Sequence, residues 1–189
     1  MIFEEDIENA LITLRRGGII LYPTDTIWGL GCDATNQEAI EKIFKIKSRD
    51  ESKGLLILAN GENMVERYVK EVPEVANELI SVSDTPLTII YPSGKNLASG
   101  VYSTDGSVGI RICNDIFCNE LITRFRKPIV STSANHSGKH SPGNYHEIEK
   151  SVIDKVDYVV KYRQNDRQKA TASPVIRVDI DGTIKILRK

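Results

Sequence analysis

Apolar residues recur along the chain in two patterns, one typical of amphipathic helices and one typical of buried strands. Between residues 4 and 16 they follow the i, i+3, i+4, i+7 spacing of a single helix face, and the two glycines at 17–18 end that helix. Thr35 with Glu38 three residues later forms a capping box, which predicts a second helix from Thr35 to about Lys47. The same spacing predicts further helices around 64–68, 75–80, 116–125 and 147–153.

Short apolar runs between these helices predict strands. They lie at 19–22, 54–59, 87–91, 107–112, 129–131, 158–160, 175–180 and 183–187. The last two are joined by Asp181-Gly182, a typical hairpin turn, so at least one pair is antiparallel. Helices that alternate with strands indicate a layered α/β fold with a mixed sheet. We find no repeat or linker in the sequence and expect one domain over residues 1–189.

The charge and hydropathy of the sequence exclude several classes of protein. Lys+Arg 25 against Asp+Glu 26 gives a net charge of −1, which excludes a polybasic nucleic-acid tail. No apolar run approaches the ~18 residues of a membrane span, and the acidic first ten residues do not resemble a signal peptide. We therefore expect a cytoplasmic protein without a membrane partner. The three cysteines at 32, 113 and 118 are interpreted as reduced, small, buried hydrophobes.

Three segments are unusually polar for positions beside buried strands. Residues 22–31 carry two threonines and an aspartate, which is also the composition of a simple turn with hydroxyl capping. Residues 45–53 are basic, and basic side chains at a helix C-terminus also interact favourably with the helix dipole. Residues 131–138 are small and rich in donors, as in loops that bind phosphate. Together the three segments indicate a cleft for an anionic ligand.

The same segments resemble the motifs of one family. Residues 23–34 read PTDTIWGLGCDA, 47–49 read KSR, 53–55 read KGL, 85–88 read TPLT, 108–111 read VGIR and 131–135 read STSAN. In this order they resemble the YrdC/TsaC family, the threonylcarbamoyl-AMP synthases, over almost the whole chain. The resemblance implies the fold of that family, a twisted mixed β-sheet flanked by helices with a large concave cavity.

The resemblance also implies a reaction. The family joins L-threonine, bicarbonate or CO2, and ATP into threonylcarbamoyl-adenylate and releases pyrophosphate, with Mg2+ on the phosphates. The product passes to downstream transfer proteins that modify the adenosine beside the anticodon of tRNA. Two anions meet in this reaction, and a cationic site that aligns them can supply much of the catalysis without a protein nucleophile.

The motifs imply roles residue by residue. For threonine, with the Arg111 guanidinium on its carboxylate, they imply Thr24, Thr26, Arg111, Ser131 and Ser173. As catalytic cations at the surface of the cleft they imply Lys47 and Arg49. For the nucleotide they imply Lys47, Arg49, Lys53, Ser133, Asn135, Ser141 and Arg188. No protein ligand for a metal is expected.

Some features fit this pattern less well. Ala172 and Pro174 depart from the family's usual Pro-Ser-Thr segment around Ser173, and no glycine follows Arg188. The histidines at 136, 140 and 146 are interpreted as solvated loop residues. The basic residues of segment 161–169 belong to a solvated loop, a flap over the nucleotide or a contact for tRNA. An RNA-binding paralogue with little or no synthase activity therefore stays as an alternative, because a fold alone does not fix a function.

Overall fold

The computed structural model describes residues 2–48 and 54–189. Its helices are α1 (Ile2–Arg15), α2 (Gln37–Lys47), α3 (Glu62–Tyr68), α4 (Glu74–Val82), α5 (Ile116–Phe125) and α6 (Lys150–Ile153). Its strands are β1 (Ile20–Tyr22), β2 (Gly29–Gly31), β3 (Ile57–Ala59), β4 (Thr88–Tyr91), β5 (Val108–Ile112), β6 (Ile129–Val130), β7 (Thr132–Ser133), β8 (Tyr158–Val159), β9 (Val175–Val178) and β10 (Ile184–Arg188). The predicted mixed α/β class is confirmed.

The strands form two mixed sheets, whereas the sequence indicated one. The smaller sheet has the order β7-β2-β1-β8, in which the β1–β8 pair is parallel. The larger sheet has the order β10-β9-β4-β5-β3-β6, and its neighbours alternate between antiparallel and parallel pairing. The hairpin of β9 and β10 turns at Gly182, whose φ of 84° favours glycine, and this confirms the predicted closing pair.

The chain passes from one sheet to the other at Ser131. β6 pairs with β3 in the larger sheet, and β7 pairs with β2 in the smaller one. Between them the Ser131 main-chain N–H donates to Leu56 O at 2.8 Å. The predicted single strand at 129–131 is therefore wrong in extent, because the chain bends there and changes partners. The bend places a run of hydroxyl side chains between the sheets.

The second helix begins one residue later than its sequence indicates. The Asn36 Oδ1 atom accepts from the Ala39 main-chain N–H at 3.1 Å, so Asn36 is the N-cap. The Thr35 hydroxyl instead donates to Asp33 Oδ1 at 2.7 Å. The capping box predicted from Thr35 and Glu38 is wrong, because the Asp33 carboxylate competes for the threonine hydroxyl.

The helices pack against a continuous apolar core. It includes the apolar faces of α1, α2 and α5, and the three cysteines are buried and free within it. The predicted helix at 147–153 is shorter, since residues 145–147 form one 3-10 turn and α6 follows. Within the described residues, no helix has the length and apolar character needed to cross a membrane.

Candidate active site

A cavity of about 260 Å³ opens between the two sheets. Its walls come from β2 and β7 of the smaller sheet, from β4, β5, β9 and β10 of the larger sheet, and from the loops beside them. The polar side chains that line it are those of Thr26, Thr88, Ser103, Arg111, Ser131, Thr132, Ser133, Ser141, Ser173 and Arg188. The polar part of this wall thus offers hydroxyls and two guanidinium groups, a composition suited to anions.

Arg111 lies on β5, in the wall of the cavity. Its side chain is only 2% exposed, and its Nη1 donates to Thr26 Oγ1 at 2.7 Å. Asp25 Oδ1 is 3.1 Å from Arg111 Nη2, but both Asp25 carboxylate oxygens and Arg111 Nε lack a hydrogen-bond partner in the described part of the chain. The ion pair therefore neutralises the buried charge while the guanidinium retains unused donors.

Thr26 owes its position to the turn at 23–26, which leaves the buried strand β1. The Thr24 hydroxyl donates to Ile27 O at 2.8 Å and accepts from the Thr26 main-chain N–H at 3.0 Å. Thr24 is itself 2% exposed and does not line the cavity. Its structure is that of a hydroxyl-capped turn, and this turn directs the Thr26 hydroxyl toward Arg111.

A second group of wall residues comes from the same larger sheet, near the C-terminus and on β4. Ser173 Oγ is 2.7 Å from Thr88 Oγ1, and both residues are buried. The Arg188 guanidinium donates to the main-chain oxygen of Ser173 at 3.0 Å and 2.7 Å, through Nε and Nη2. Burial, and next the charge of Arg111, lower the pKa of Arg188 below its ordinary value. The positive charges of Arg111 and Arg188 are therefore close enough to interact, and both attract an anion that enters the cavity.

The loop that follows β7 carries the third set of predicted residues. Ser131, Ser133 and Ser141 line the cavity, whereas Asn135 lies behind it and donates through Nδ2 to Lys139 O at 2.6 Å. The Lys47 ammonium donates to Ser133 O at 2.5 Å and to Asn135 O at 2.8 Å. Lys47 is 2% exposed, so the expectation of a surface position is wrong: the α2 C-terminus directs it into the protein. Its catalytic role stays a prediction.

Two predicted cations, Arg49 and Lys53, lie outside the described residues. The described chain resumes at Gly54, which lines the cavity with a φ of +44°. A Cβ atom at this glycine would lie 2.8 Å from the main-chain oxygen of Val101, so a side chain is excluded there.

Of the predicted threonine and nucleotide residues, the structure places seven in the cavity wall: Thr26, Arg111, Ser131, Ser133, Ser141, Ser173 and Arg188. The sequence also pointed to 85–88 without assigning Thr88 a role, and only its strand register with β9 places its hydroxyl on Ser173. Ser103 belongs to none of the sequence motifs, and only the tertiary fold brings its loop to the cavity. No group of three or more potential metal-ligating His, Cys, Asp or Glu side chains occurs among the described residues.

The chain is similar to known proteins over most of its length. A family model described as telomere recombination, whose name joins Sua5, YciO and YrdC, matches residues 13–189. A protein of Pseudoalteromonas translucida (strain TAC 125) named threonylcarbamoyl-AMP synthase is 31% identical over 160 residues, which are 83% of this chain and 86% of that protein. A protein of the same name from Vibrio cholerae serotype O1 (strain ATCC 39315 / El Tor Inaba N16961) is 31% identical over 170 residues, 88% of this chain and 90% of that one.

Solved structures show the same fold. P. abyssi Sua5 complexed with L-threonine is 27% identical with a TM-score of 0.82, and the match covers 96% of this chain. This chain spans about half of that one, 53% of its length. E. coli YciO is 23% identical with a TM-score of 0.83, over 97% of this chain and 88% of its own. With the family model matched over nearly the whole sequence, the chain belongs to the Sua5/YciO/YrdC family.

Proposed function

We propose that the chain is an L-threonylcarbamoyladenylate synthase. It condenses L-threonine, bicarbonate or CO2, and ATP, and releases pyrophosphate. The adenylate then serves downstream proteins that transfer the threonylcarbamoyl group to tRNA next to the anticodon. Relatives with this name and the threonine complex of a protein with the same fold support the synthase role.

The observation that carries the proposal is the geometry of Arg111. A buried guanidinium held by Thr26 and by Asp25 retains donors beside the cavity. A carboxylate is the planar partner that this fork binds best. We place the α-carboxylate of threonine here, with the hydroxyls of Thr26 and Ser173 within the same cavity.

The second anion is the triphosphate of ATP, and we assign it to the other polar residues of the cavity wall. Ser133 and Ser141 supply hydroxyl donors for phosphate oxygens, Ser131 lies on the threonine side, and Arg188 supplies a second positive charge. The described residues of the cavity wall include no carboxylate. Mg2+ would therefore arrive on the triphosphate, as part of the nucleotide substrate, and neutralise phosphate charge there.

These residues act by alignment. The threonine amine takes up CO2 to form a carbamate, and a carbamate oxygen attacks the α-phosphorus as pyrophosphate leaves. The fixed guanidinium and hydroxyl groups hold the two anions in line and stabilise charge that develops at the phosphoryl oxygens. Alignment alone can contribute roughly 7–11 kcal/mol to such a reaction.

The decisive experiment measures pyrophosphate release by the purified protein with each substrate omitted in turn. We expect release only when ATP, L-threonine and bicarbonate are all present, with threonylcarbamoyl-AMP detected by mass spectrometry. Release that does not depend on threonine, or no release at all, contradicts the proposal.

The RNA-binding alternative gains little from the structure. Three of the basic side chains of segment 161–169 form ion pairs, namely Lys161 with Glu5, Arg163 with Asp115 and Lys169 with Glu147. Paired charges release fewer counterions from nucleic acid than unpaired ones, so they contribute less to RNA affinity.

A further inference from the structure

We propose that Arg163 is a positioning residue for the threonine end of the active site, an inference that rests on the proposed function. Arg163 does not line the cavity, and no motif of the sequence singles it out. It acts through the turn at 23–26, whose Thr26 hydroxyl and Asp25 carboxylate hold Arg111.

The turn is held from behind by two neighbouring carbonyl contacts. The Arg163 Nη1 atom donates to the main-chain oxygen of Thr24 at 3.2 Å. The Cys118 thiol, on α5, donates to the main-chain oxygen of Pro23 at 3.3 Å. These contacts fix consecutive carbonyls, and the Thr24 hydroxyl then passes the constraint to Thr26, whose Oγ1 is 3.1 Å away.

Arg163 also connects the turn to α5. Its Nη1 donates to Asp115 Oδ2 at 2.9 Å, while Asp115 Oδ1 caps α5 by accepting from the main-chain N–H groups of Phe117 and Cys118. The Asp115 side chain is 10% exposed. One buried carboxylate thus holds the guanidinium and the start of the helix that carries the Cys118 thiol.

The backbone of Arg163 has an unusual conformation. Its φ is 64°, a left-handed value that is unfavourable for any residue with a Cβ atom. The preceding residues are fixed, because the buried carboxylate of Asp6 accepts from the main-chain N–H groups of Lys161 and Tyr162. Fixed neighbours and a strained backbone direct the guanidinium toward Thr24, and strain retained in this way is typical of positions with a functional role.

Within segment 161–169, Lys161 forms an exposed ion pair, whereas Arg163 pairs with a buried carboxylate. The Lys161 side chain reaches Glu5 at 3.3 Å, with both groups more than half exposed. Arg163 is 33% exposed and bridges α5 to the turn at 23–26, whose Thr26 lines the cavity. Lys161→Ala is therefore a matched control, since it removes a positive charge two residues away without touching the turn.

The test compares Arg163→Ala, Arg163→Gly, Arg163→Lys and Lys161→Ala with the wild type in steady-state kinetics and in calorimetric titration with L-threonine. For both Arg163→Ala and Arg163→Gly we expect the KM and Kd for threonine to rise about tenfold, the scale of one lost charge-assisted hydrogen bond, with the KM for ATP unchanged. Arg163→Lys should recover part of the loss, and Lys161→Ala should match the wild type.

Glycine separates positioning from folding. Because φ is positive at this position, Arg163→Gly should unfold at a higher temperature than Arg163→Ala, yet show the same threonine defect. If the defect instead follows the melting temperature, Arg163 is only structural and the inference is overturned. Unchanged threonine constants combined with weaker tRNA binding also overturn it, in favour of an RNA contact. A wild type that neither turns over nor binds threonine overturns the proposed function, and this inference with it.

Discussion

The Lys47 ammonium lies 2.8 Å from the main-chain oxygen of Asn135, 88 residues further along the chain. Through this contact and the one to Ser133 O, the end of α2 fixes the loop that supplies hydroxyls to the cavity. The basic residue that begins the KxR motif therefore supports the loop whose hydroxyls line the cavity, while Lys47 itself lies behind the cavity wall.

Lys47→Ala should lower stability as well as activity. It removes the charged donor from the buried carbonyl oxygen of Asn135 and from the half-buried one of Ser133, which costs about 2 kcal/mol of unfolding free energy. Urea denaturation measures this loss, and pyrophosphate release measures the activity. Lys45→Ala is the control, because Lys45 is exposed on the same helix. An unfolding free energy equal to that of the wild type would show that the Ser133–Asn135 loop does not depend on Lys47.

Arg111→Lys should damage threonine use far more than nucleotide use. A lysine keeps the charge but replaces the planar fork by a single ammonium, and it cannot hold Thr26 and a carboxylate together with the same geometry. We expect the apparent KM for threonine to rise at least about tenfold, with little change for ATP. Arg177→Lys, on β9 but paired with the surface carboxylates of Asp105 and Asp179, controls for the substitution itself. Equal changes in both constants would place Arg111 elsewhere than at the threonine carboxylate.

Periodicity predicted most helices and strands because each has its own apolar pattern. It missed β2, since Gly29–Gly31 has one apolar side chain and becomes a strand only by pairing with β1 and β7. It also missed the division into two sheets, because the exchange of partners at Ser131 depends on contacts between distant segments. Local pattern carries no information about such partners.

The candidate site shows the same division. The motifs located Thr26, Arg111 and Ser173, all of which line the cavity. Only Thr26 lies in one of the polar segments, whereas Arg111 lies within β5 and was assigned, like Ser173, through the family resemblance. They did not separate the side chains that face the cavity from those that support it, such as Thr24 and Asn135. Nor did they indicate Arg163, whose role depends on a contact across 139 residues of sequence.

Asp105 should make stability depend on pH in the acidic range. Hydrogen bonds from Ser107, and next from Arg177, lower the pKa of Asp105 to about 2. A lowered pKa means that the carboxylate stabilises the fold above its unfolded pKa, about 3.9, and that this contribution is lost as the pH falls toward 2. Asp105 is 48% exposed, so we discount the contribution to about 1 kcal/mol.

Urea denaturation of the wild type and of Asp105→Asn measures this contribution. The free-energy difference between the two proteins should have its full value at pH 7 and should shrink as the pH falls from about 4 toward 2. Asp84→Asn, at an exposed aspartate just before β4, measures how much pH dependence any Asp-to-Asn change introduces. A gap that stays constant over this range would mean that the Asp105 carboxylate is not held by Ser107 and Arg177 in solution.

Ser173 and Pro174 form the segment in which the sequence departs from its family, and the structure shows how proline fits there. Pro174 is exposed and directly precedes β9, and its main-chain oxygen accepts from the Thr88 N–H at 3.1 Å. The missing N–H of a proline is tolerated at a strand start, so Pro174 fits here without the loss of a ladder hydrogen bond. Proline also restricts Ser173 to extended backbone, and this holds its hydroxyl against Thr88.

We therefore expect Ser173→Ala to weaken threonine-dependent turnover several-fold and Pro174→Thr to leave it nearly unchanged. The alanine removes a buried hydroxyl from the cavity wall and leaves the Thr88 hydroxyl without its 2.7 Å partner, a loss of about 1 kcal/mol. Thr88→Val shows whether Ser173 acts on the substrate or only as the hydrogen-bond partner of Thr88. If it is only that partner, the double variant Ser173→Ala/Thr88→Val will be no less active than Thr88→Val alone. If Ser173 contacts threonine, the two losses will add, because each substitution then removes a separate contact. Full activity of Ser173→Ala, with the exposed Thr171→Ala as its control, would assign the closure of the threonine pocket to other residues.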